Sequence, residues 1–363
     1  MTESDRPAPQ TIPVRNVWHM LLYAWDLASF RDRISMAVEA SPDLLSLLTR
    51  ALVHVTADLI RRGVHREYIE QHGPLRHLRG RIDVGDTIRR LQVVHGWVTC
   101  AFDELDPNIV HNQILRTTLF RLAQCPALIA EGRVAGSRLH DDVVAVYRRL
   151  DGVDILPRLR REHFSVLRMG RQNAPYRLAM RLCELLLDLR LPTQSRGDDP
   201  FLGLLENEIE MSRVFEAFVR NFYRFRCADA YDVRAQVLEW PASSGNVGYL
   251  PSMRTDVSLT SAKRRLVIDT KFYAHMLTER YGHSAFRPPH LYQLYAYLRT
   301  QEDRGATHRA AEGILLYPTA GTALDETYEV QGHRMRITTL DLARPWAAIE
   351  DDLSALVVPP SQL

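Results

Sequence analysis

Residues 253–273 read MRTDVSLTSAKRRLVIDTKFY, and the folding of this stretch decides the class of the chain. MRTDVSLTS and RRLVIDTKFY are two short runs rich in aliphatic and β-branched residues. Little more than Ala262 and Lys263 separates them, which is the pattern of a β-hairpin. In the second run Asp269 and Lys271 stand two residues apart and project from one face of the strand, while Leu266, Ile268 and Thr270 take the other. Antiparallel pairing about the turn brings Asp256, at the start of the first strand, beside the end of the second. Two carboxylates and a lysine therefore converge at the open end of the hairpin. Carboxylate oxygens are the ligands that Mg²⁺ takes, with water in its remaining positions. Such an ion polarises a phosphoryl oxygen and lowers the pKa of a bound water. The lysine is placed to orient that water or to neutralise charge developing on a phosphate. An Asp-x-Lys taken alone is more often a solvated strand end; the hairpin relation to Asp256 sets this one apart.

Two flanking helices add candidate residues. MSRVFEAFVRNFY carries an apolar stripe at Val214, Phe215, Phe218 and Phe222, with Glu216 off its centre but within reach of a neighbouring site. By periodicity alone Glu216 reads as a surface residue, and as a site residue it would hold a metal through water. FRPPHLYQLYAYLR, residues 286–299, is a helix behind a double proline. Its Gln293 and Tyr297 are four apart and share a face, where they either position a phosphate or water or simply border a tyrosine-rich core. Arg254, Lys263, Arg264, Arg265, Arg280, Arg287, Arg220, Arg224 and Arg226 surround this unit and offer phosphate contacts or a solvated charged face.

Further out, residues 205–318 run helix, strand, strand, strand, helix, strand, the order of an α/β unit around a mixed sheet. Upstream, IPVRNVWHMLLYAWDL (12–27) and PDLLSLLTRALVHVTADLIRR (42–62) have helical spacing. Residues 66–105 break into short runs and glycines that suggest a small twisted β unit, and helical patterns return at 108–128, 131–152 and 175–191. A chain of 363 residues exceeds what one core usually serves. We therefore expect two domains, 1–160 and 161–363.

Hydrophobic residues make up 46% and charged residues 25%, ordinary globular composition. No run of eighteen uncharged apolar residues supports a membrane span. The polar start MTESDRPAPQ and the four scattered cysteines fit a reduced, cytoplasmic location. A formal net charge of +2 neither demands nor excludes nucleic acid. No GxxxxGK[ST] loop is present, so nucleotide hydrolysis is not expected of this chain itself. G-x-G-x-x-G, HExxH, zinc-spaced His/Cys sets and G-x-S-x-G are likewise missing from the sequence.

Together, Thr255-Asp256, Asp269-Thr270-Lys271, Glu216 and the Gln293/Tyr297 pair resemble the PD-(D/E)xK nuclease superfamily, with Thr255 where that motif often has proline. IPVRNVWHMLLYAWDL, LRGRID (78–83), FDELDPNIVHNQILRTTL (102–119), VFEAFV, VIDTKFY and YQLYAY, in this order, are similar to the McrC family, the nuclease subunits of McrBC modified-cytosine-dependent restriction systems. The resemblance spans about residues 12–318. It implies a restriction-endonuclease-like C-terminal core, a mixed sheet flanked by helices, preceded by a mixed helical and small β N-terminal domain. It also implies Mg²⁺ on Asp256 and Asp269, with Lys271, Glu216, Gln293 and Tyr297 completing a catalytic site for double-stranded DNA. The implied partner is a McrB-type hexameric AAA+ GTPase, which binds the GTP and whose hydrolysis the N-terminal domain stimulates. Arg79 and Arg81 are the candidates for that stimulation, although each also fits a solvated or structural arginine. The competing readings are a non-cutting scaffold for an AAA+ motor with a vestigial nuclease core, and an autonomous DNA-repair nuclease.

Overall fold

The computed structural model describes residues 12–28, 41, 43–90, 94, 96–135, 137–167, 176–188, 208–272, 277–280, 283–319 and 323–358. In chain order, α1 is Val14–Ala24 and α2 is Leu44–Arg62. Strands β1 (Glu67–Leu75), β2 (Arg81–Ile82) and β3 (Val98–Asp106) follow. Next come helices α3 (Val110–Ala123), α4 (Pro126–Ala135), α5 (Leu139–Arg148), α6 (Tyr176–Asp188) and α7 (Glu208–Arg226). Then come β4 (Asp232–Arg234), β5 (Val237–Leu238), β6 (Met253–Arg254), β7 (Val257–Thr260), β8 (Arg265–Thr270), β9 (Leu277–Arg280) and β10 (His283–Phe286). Helix α8 (Pro288–Arg299) leads to β11 (Glu312–Thr319), β12 (Asp325–Val330), β13 (His333–Asp341) and α9 (Trp346–Val357).

The chain divides into two compact units, one of residues 43–200 and the other of residues 1–42 together with 201–363. This corrects the boundary expected at residue 160. The correction has a physical cause in α1, whose buried Asn16 donates from Nδ2 to the carbonyls of Leu342 (2.8 Å) and Arg344 (2.9 Å). Tyr23 donates its hydroxyl to Glu350 Oε1 at 2.8 Å, and Asn221 Nδ2 caps the α1 carbonyls of Tyr23 and Ala24. The first helix is thus part of the core built by the last one.

In the 43–200 unit, Asp43 caps α2 by accepting from Ser46 N at 2.7 Å. Leu47, Leu48, Leu115, Leu119, Leu122, Val143, Leu182 and Leu186 are buried along α2, α3, α5 and α6, which pack on one another. The expected small β unit is a three-stranded antiparallel sheet of order β1-β3-β2, with Glu67 opposite Asp106 and Leu75 opposite Val98. Gly80 lies at φ +69°, and a Cβ there would stand 2.1 Å from the Ala101 carbonyl oxygen. Only glycine fits that approach.

The other unit is organised on a six-stranded mixed sheet of order β12-β13-β11-β8-β7-β4. Strand β8 is parallel to β11 and antiparallel to β7, and every one of its residues is buried, as a central strand covered on both faces requires. Leu266 and Ile268 pack with Phe215, Phe218 and Phe222 of α7 and with residues of α1 and α9. Val267 packs on the opposite face with Leu294 and Leu298 of α8. Gly313 permits this, since a Cβ there would come within 3.0 Å of the Leu294 and Leu298 methyls. Three fully buried phenylalanines on one helix contribute roughly 2 kcal/mol each by removal from water. The central strand is therefore clamped, and its C-terminal end is a rigid platform.

Candidate active site

The hairpin forms as its sequence suggests. Val257 pairs with Ile268, and Thr260 with Arg265 closes the turn, so Asp256 precedes β7 beside the end of β8. Asp256 Oδ2 accepts from the Thr270 backbone N at 2.7 Å and from Thr270 Oγ1 at 2.8 Å, which fixes the carboxylate across the strand end. Asp269 is 1% exposed, on the α8 face with Val267, and Lys271 Nζ stands 2.8 Å from its Oδ2. Among the described residues Lys271 is the cation that meets this buried carboxylate.

A hydrogen-bonded chain fixes the lysine from behind. Lys271 Nζ donates to Gln293 Oε1 at 2.8 Å, Gln293 Nε2 donates to Tyr297 Oη at 2.6 Å, and Tyr297 donates to the Arg254 carbonyl at 2.7 Å. The spacing of four residues on α8 puts both groups on the face that meets Lys271. The structure thus brings Asp256, Asp269, Lys271, Gln293 and Tyr297 together. Glu216 is nearby on α7, but its Oε1 is held by Arg220 Nη1 at 2.6 Å, and that same nitrogen reaches the Asp256 carbonyl at 3.3 Å.

The electrostatics follow from this crowding. Burial pushes the Asp269 carboxyl up to about 7 against the pull of Lys271, and the neighbouring Asp256 and Glu216 charges push the same way. Burial also raises Asp256, which the two Thr270 bonds partly offset. Burial lifts the Tyr297 phenol to about 12, so it stays a donor. Two buried carboxyls raised together mark a site short of positive charge. Among the described residues no group of three or more His, Cys, Asp or Glu is gathered for metal binding. Mg²⁺ needs only one or two carboxylates, however, and keeps its waters. The buried Asp269 carboxylate and Asp256, whose two Thr270 bonds both fall on Oδ2, offer oxygen ligands that fit it.

Other sequence expectations need correction. The arginines do not form one phosphate-facing surface. Arg265 is 4% exposed and donates to Gln236 Oε1 and Thr260 Oγ1, and Arg264 forms a two-point ion pair with Glu312. Arg226 lies 3.6 Å from Glu350. The side chain of Arg280, and Tyr273 altogether, lie outside the described residues. Arg79 donates to the Asp103 carbonyl at 3.1 Å and lies over the Phe102 ring, while Arg81 is exposed on the strand edge. Sequence reasoning missed Thr270 as the anchor of Asp256, Arg220 as the clasp on Glu216, and His290. Burial, with help from Lys271 and Arg287, lowers His290 to about 4, and its Nδ1 meets Tyr317 Oη at 2.8 Å. Strand pairing could have pointed to Thr270, next to the motif aspartate; His290 carries no sequence signal beyond its place beside Gln293.

This arrangement defines an α/β protein with a buried carboxylate–lysine centre where two antiparallel strands of a mixed sheet meet. A family model described as McrBC 5-methylcytosine restriction system component matches residues 4–318. The Type IV methyl-directed restriction enzyme EcoKMcrBC of Escherichia coli (strain K12) is 29% identical over 345 residues, covering 94% of this chain and 96% of that protein. A solved structure of Thermococcus gammatolerans McrB AAA+ hexamers with bound McrC aligns with a TM-score of 0.58 at 20% identity, over 95% of this chain and 75% of that one, which shows a shared fold. The chain belongs to the McrBC 5-methylcytosine restriction-component family.

Proposed function

We propose that this chain is the DNA-cutting subunit of a modified-cytosine-dependent restriction complex, with a nuclease core of the PD-(D/E)xK kind. The observation that carries the reading is the convergence of Asp256, Asp269 and Lys271 at adjoining strand ends, with Lys271 held by Gln293. Asp256 and Asp269 would hold Mg²⁺, which supplies Lewis acidity toward a phosphoryl oxygen. The Lys271 ammonium, fixed by Asp269 and Gln293, would offset charge gathering on the scissile phosphate. Tyr297 holds Gln293 and thereby the lysine; Glu216, when released by Arg220, adds a carboxylate at the outer edge.

Assembly with a McrB-type AAA+ GTPase is part of the proposal, since a related complex contains McrB hexamers with bound McrC. The 43–200 unit supports this role through the exposed side chains of Tyr68, Leu78, Val84 and Ile88 on and beside its small sheet. The test is to combine the chain with its motor partner, GTP, Mg²⁺ and DNA carrying 5-methylcytosine. Cutting is expected only when all are present. Cutting without the motor would make this an autonomous nuclease, and no cutting by the full mixture would make it a scaffold.

A further inference from the structure

The strand that delivers Asp256 changes partners just before it. Upstream, β6 pairs with β5, with Arg254 opposite Val237; downstream, β7 pairs with β4, with Ser258 opposite Arg234. Between these two pairs one side of the ribbon has Ala235 and Gln236, and the other has Thr255, Asp256 and Val257. One strand therefore carries one extra residue. This is the signature of a β-bulge, a device that bends a strand and re-aims a side chain. Asp256 sits in the middle of it.

Thr255 closes the bulge in an unusual way. Its N–H donates to the Gln236 carbonyl at 2.9 Å, as in a regular ladder. The return bond does not go to the Thr255 carbonyl. Gln236 N donates instead to Thr255 Oγ1 at 3.0 Å, and the same hydroxyl lies 2.9 Å from Ser258 Oγ. The hydroxyl therefore takes the place of a backbone acceptor one residue before Asp256, whose carboxylate meets Thr270. Thr255 and Ser258 are fully buried, so loss of the hydroxyl would leave the Gln236 N–H facing an interior without its acceptor. Arg265, itself buried, donates from Nη2 to Gln236 Oε1 at 2.6 Å and anchors the far side. A proline at 255 would supply neither the N–H nor the hydroxyl.

We infer that Thr255 is a positioning residue whose hydroxyl sustains the bulge that aims Asp256 at the metal position. The inference rests on the proposed nuclease reading, and its test separates the two. Mn²⁺ binding to the full chain is measured by calorimetry for the wild type, Thr255→Val and Thr255→Ser, beside thermal melting of each. Thr255→Val, similar in shape but lacking the acceptor, should weaken Mn²⁺ binding about tenfold or more, the range seen when groups supporting metal ligands are lost. Thr255→Ser should restore binding to within about threefold of the wild type, because the hydroxyl alone is the acceptor. If Thr255→Val melts early but binds Mn²⁺ like the wild type, the hydroxyl is merely structural and the inference is overturned. If Thr255→Val does not fold, Ser258→Ala, which removes the hydroxyl's other partner, carries the test: binding weakened about threefold supports the inference, and unchanged binding overturns it. A wild-type chain that binds no Mn²⁺ would instead overturn the metal-site reading itself.

Discussion

Asp269 offers a quantitative test of the site in the chain alone. Its carboxyl lies about three pKa units above the ordinary value of 3.8, at about 7, chiefly because burial disfavours its charge. Between about pH 4 and 7 the folded chain keeps this proton while the unfolded chain has lost it. The stability the proton carries is complete below about 4 and is lost as pH rises through about 7. Three units correspond to at most about 4 kcal/mol, with a slope of up to about 1.4 kcal/mol per pH unit inside the window. Asp269→Asn is isosteric and cannot titrate, so it should be the more stable chain at pH 8 and lose its advantage by pH 4. The loss of the Lys271 ion pair trims that advantage. The assay is urea unfolding in chelator at several pH values, with hydrogen exchange of β8 as the probe local to this unit. A stability difference between Asp269→Asn and the wild type that stays constant from pH 4 to 8 would refute the reasoning. The same titration makes Mg²⁺ affinity of the wild type rise with pH up to about 7, since binding requires the carboxylate.

Two further outcomes follow from the packing. Asn16→Ala removes a buried side-chain bond to the Leu342 carbonyl and a part-buried one to the Arg344 carbonyl and should cost about 2–4 kcal/mol, with faster hydrogen exchange in both α1 and α9. Faster exchange in α1 alone would mean the two helices are not coupled. Gly80→Ala forces a Cβ against the Ala101 carbonyl at a positive φ and should unfold or shift the small sheet, costing at least about 2 kcal/mol by urea unfolding. Under the proposed assembly role of this unit it should also weaken association with the motor partner while leaving Mn²⁺ binding intact.

Much of the candidate site was legible in sequence because strand geometry has a period of two. That rule alone put Asp269 with Lys271, and the hairpin put Asp256 opposite them. Gln293 and Tyr297 were legible through helical spacing. What escaped was everything set by distant pairing. Strand β12, DETYEV, is exposed along its length and lacks the alternation that marks a half-buried strand, so the outer part of the sheet gave no signal. The docking of α1 depends on Asn16 and Tyr23 finding residues more than 300 positions away, and no local pattern encodes that. The arginine run misled because Arg264 and Arg265 look like a surface pair, yet one is locked to Glu312 and the other is buried on Gln236. The bulge at Thr255 exists only in the registers of two strand pairs, which no single stretch of sequence displays.

The central claim is that the carboxylate–lysine centre does the cutting while the rest of the chain serves assembly. Asp269→Ala, placed in the complete complex with motor, GTP, Mg²⁺ and methylated DNA, tests it most directly when DNA cleavage and GTP hydrolysis are read in the same tube. The account predicts cleavage lost by at least about a thousandfold, as expected when a metal ligand is removed, with stimulated GTP hydrolysis unchanged. Cleavage that survives Asp269→Ala, with GTP hydrolysis intact, would contradict it.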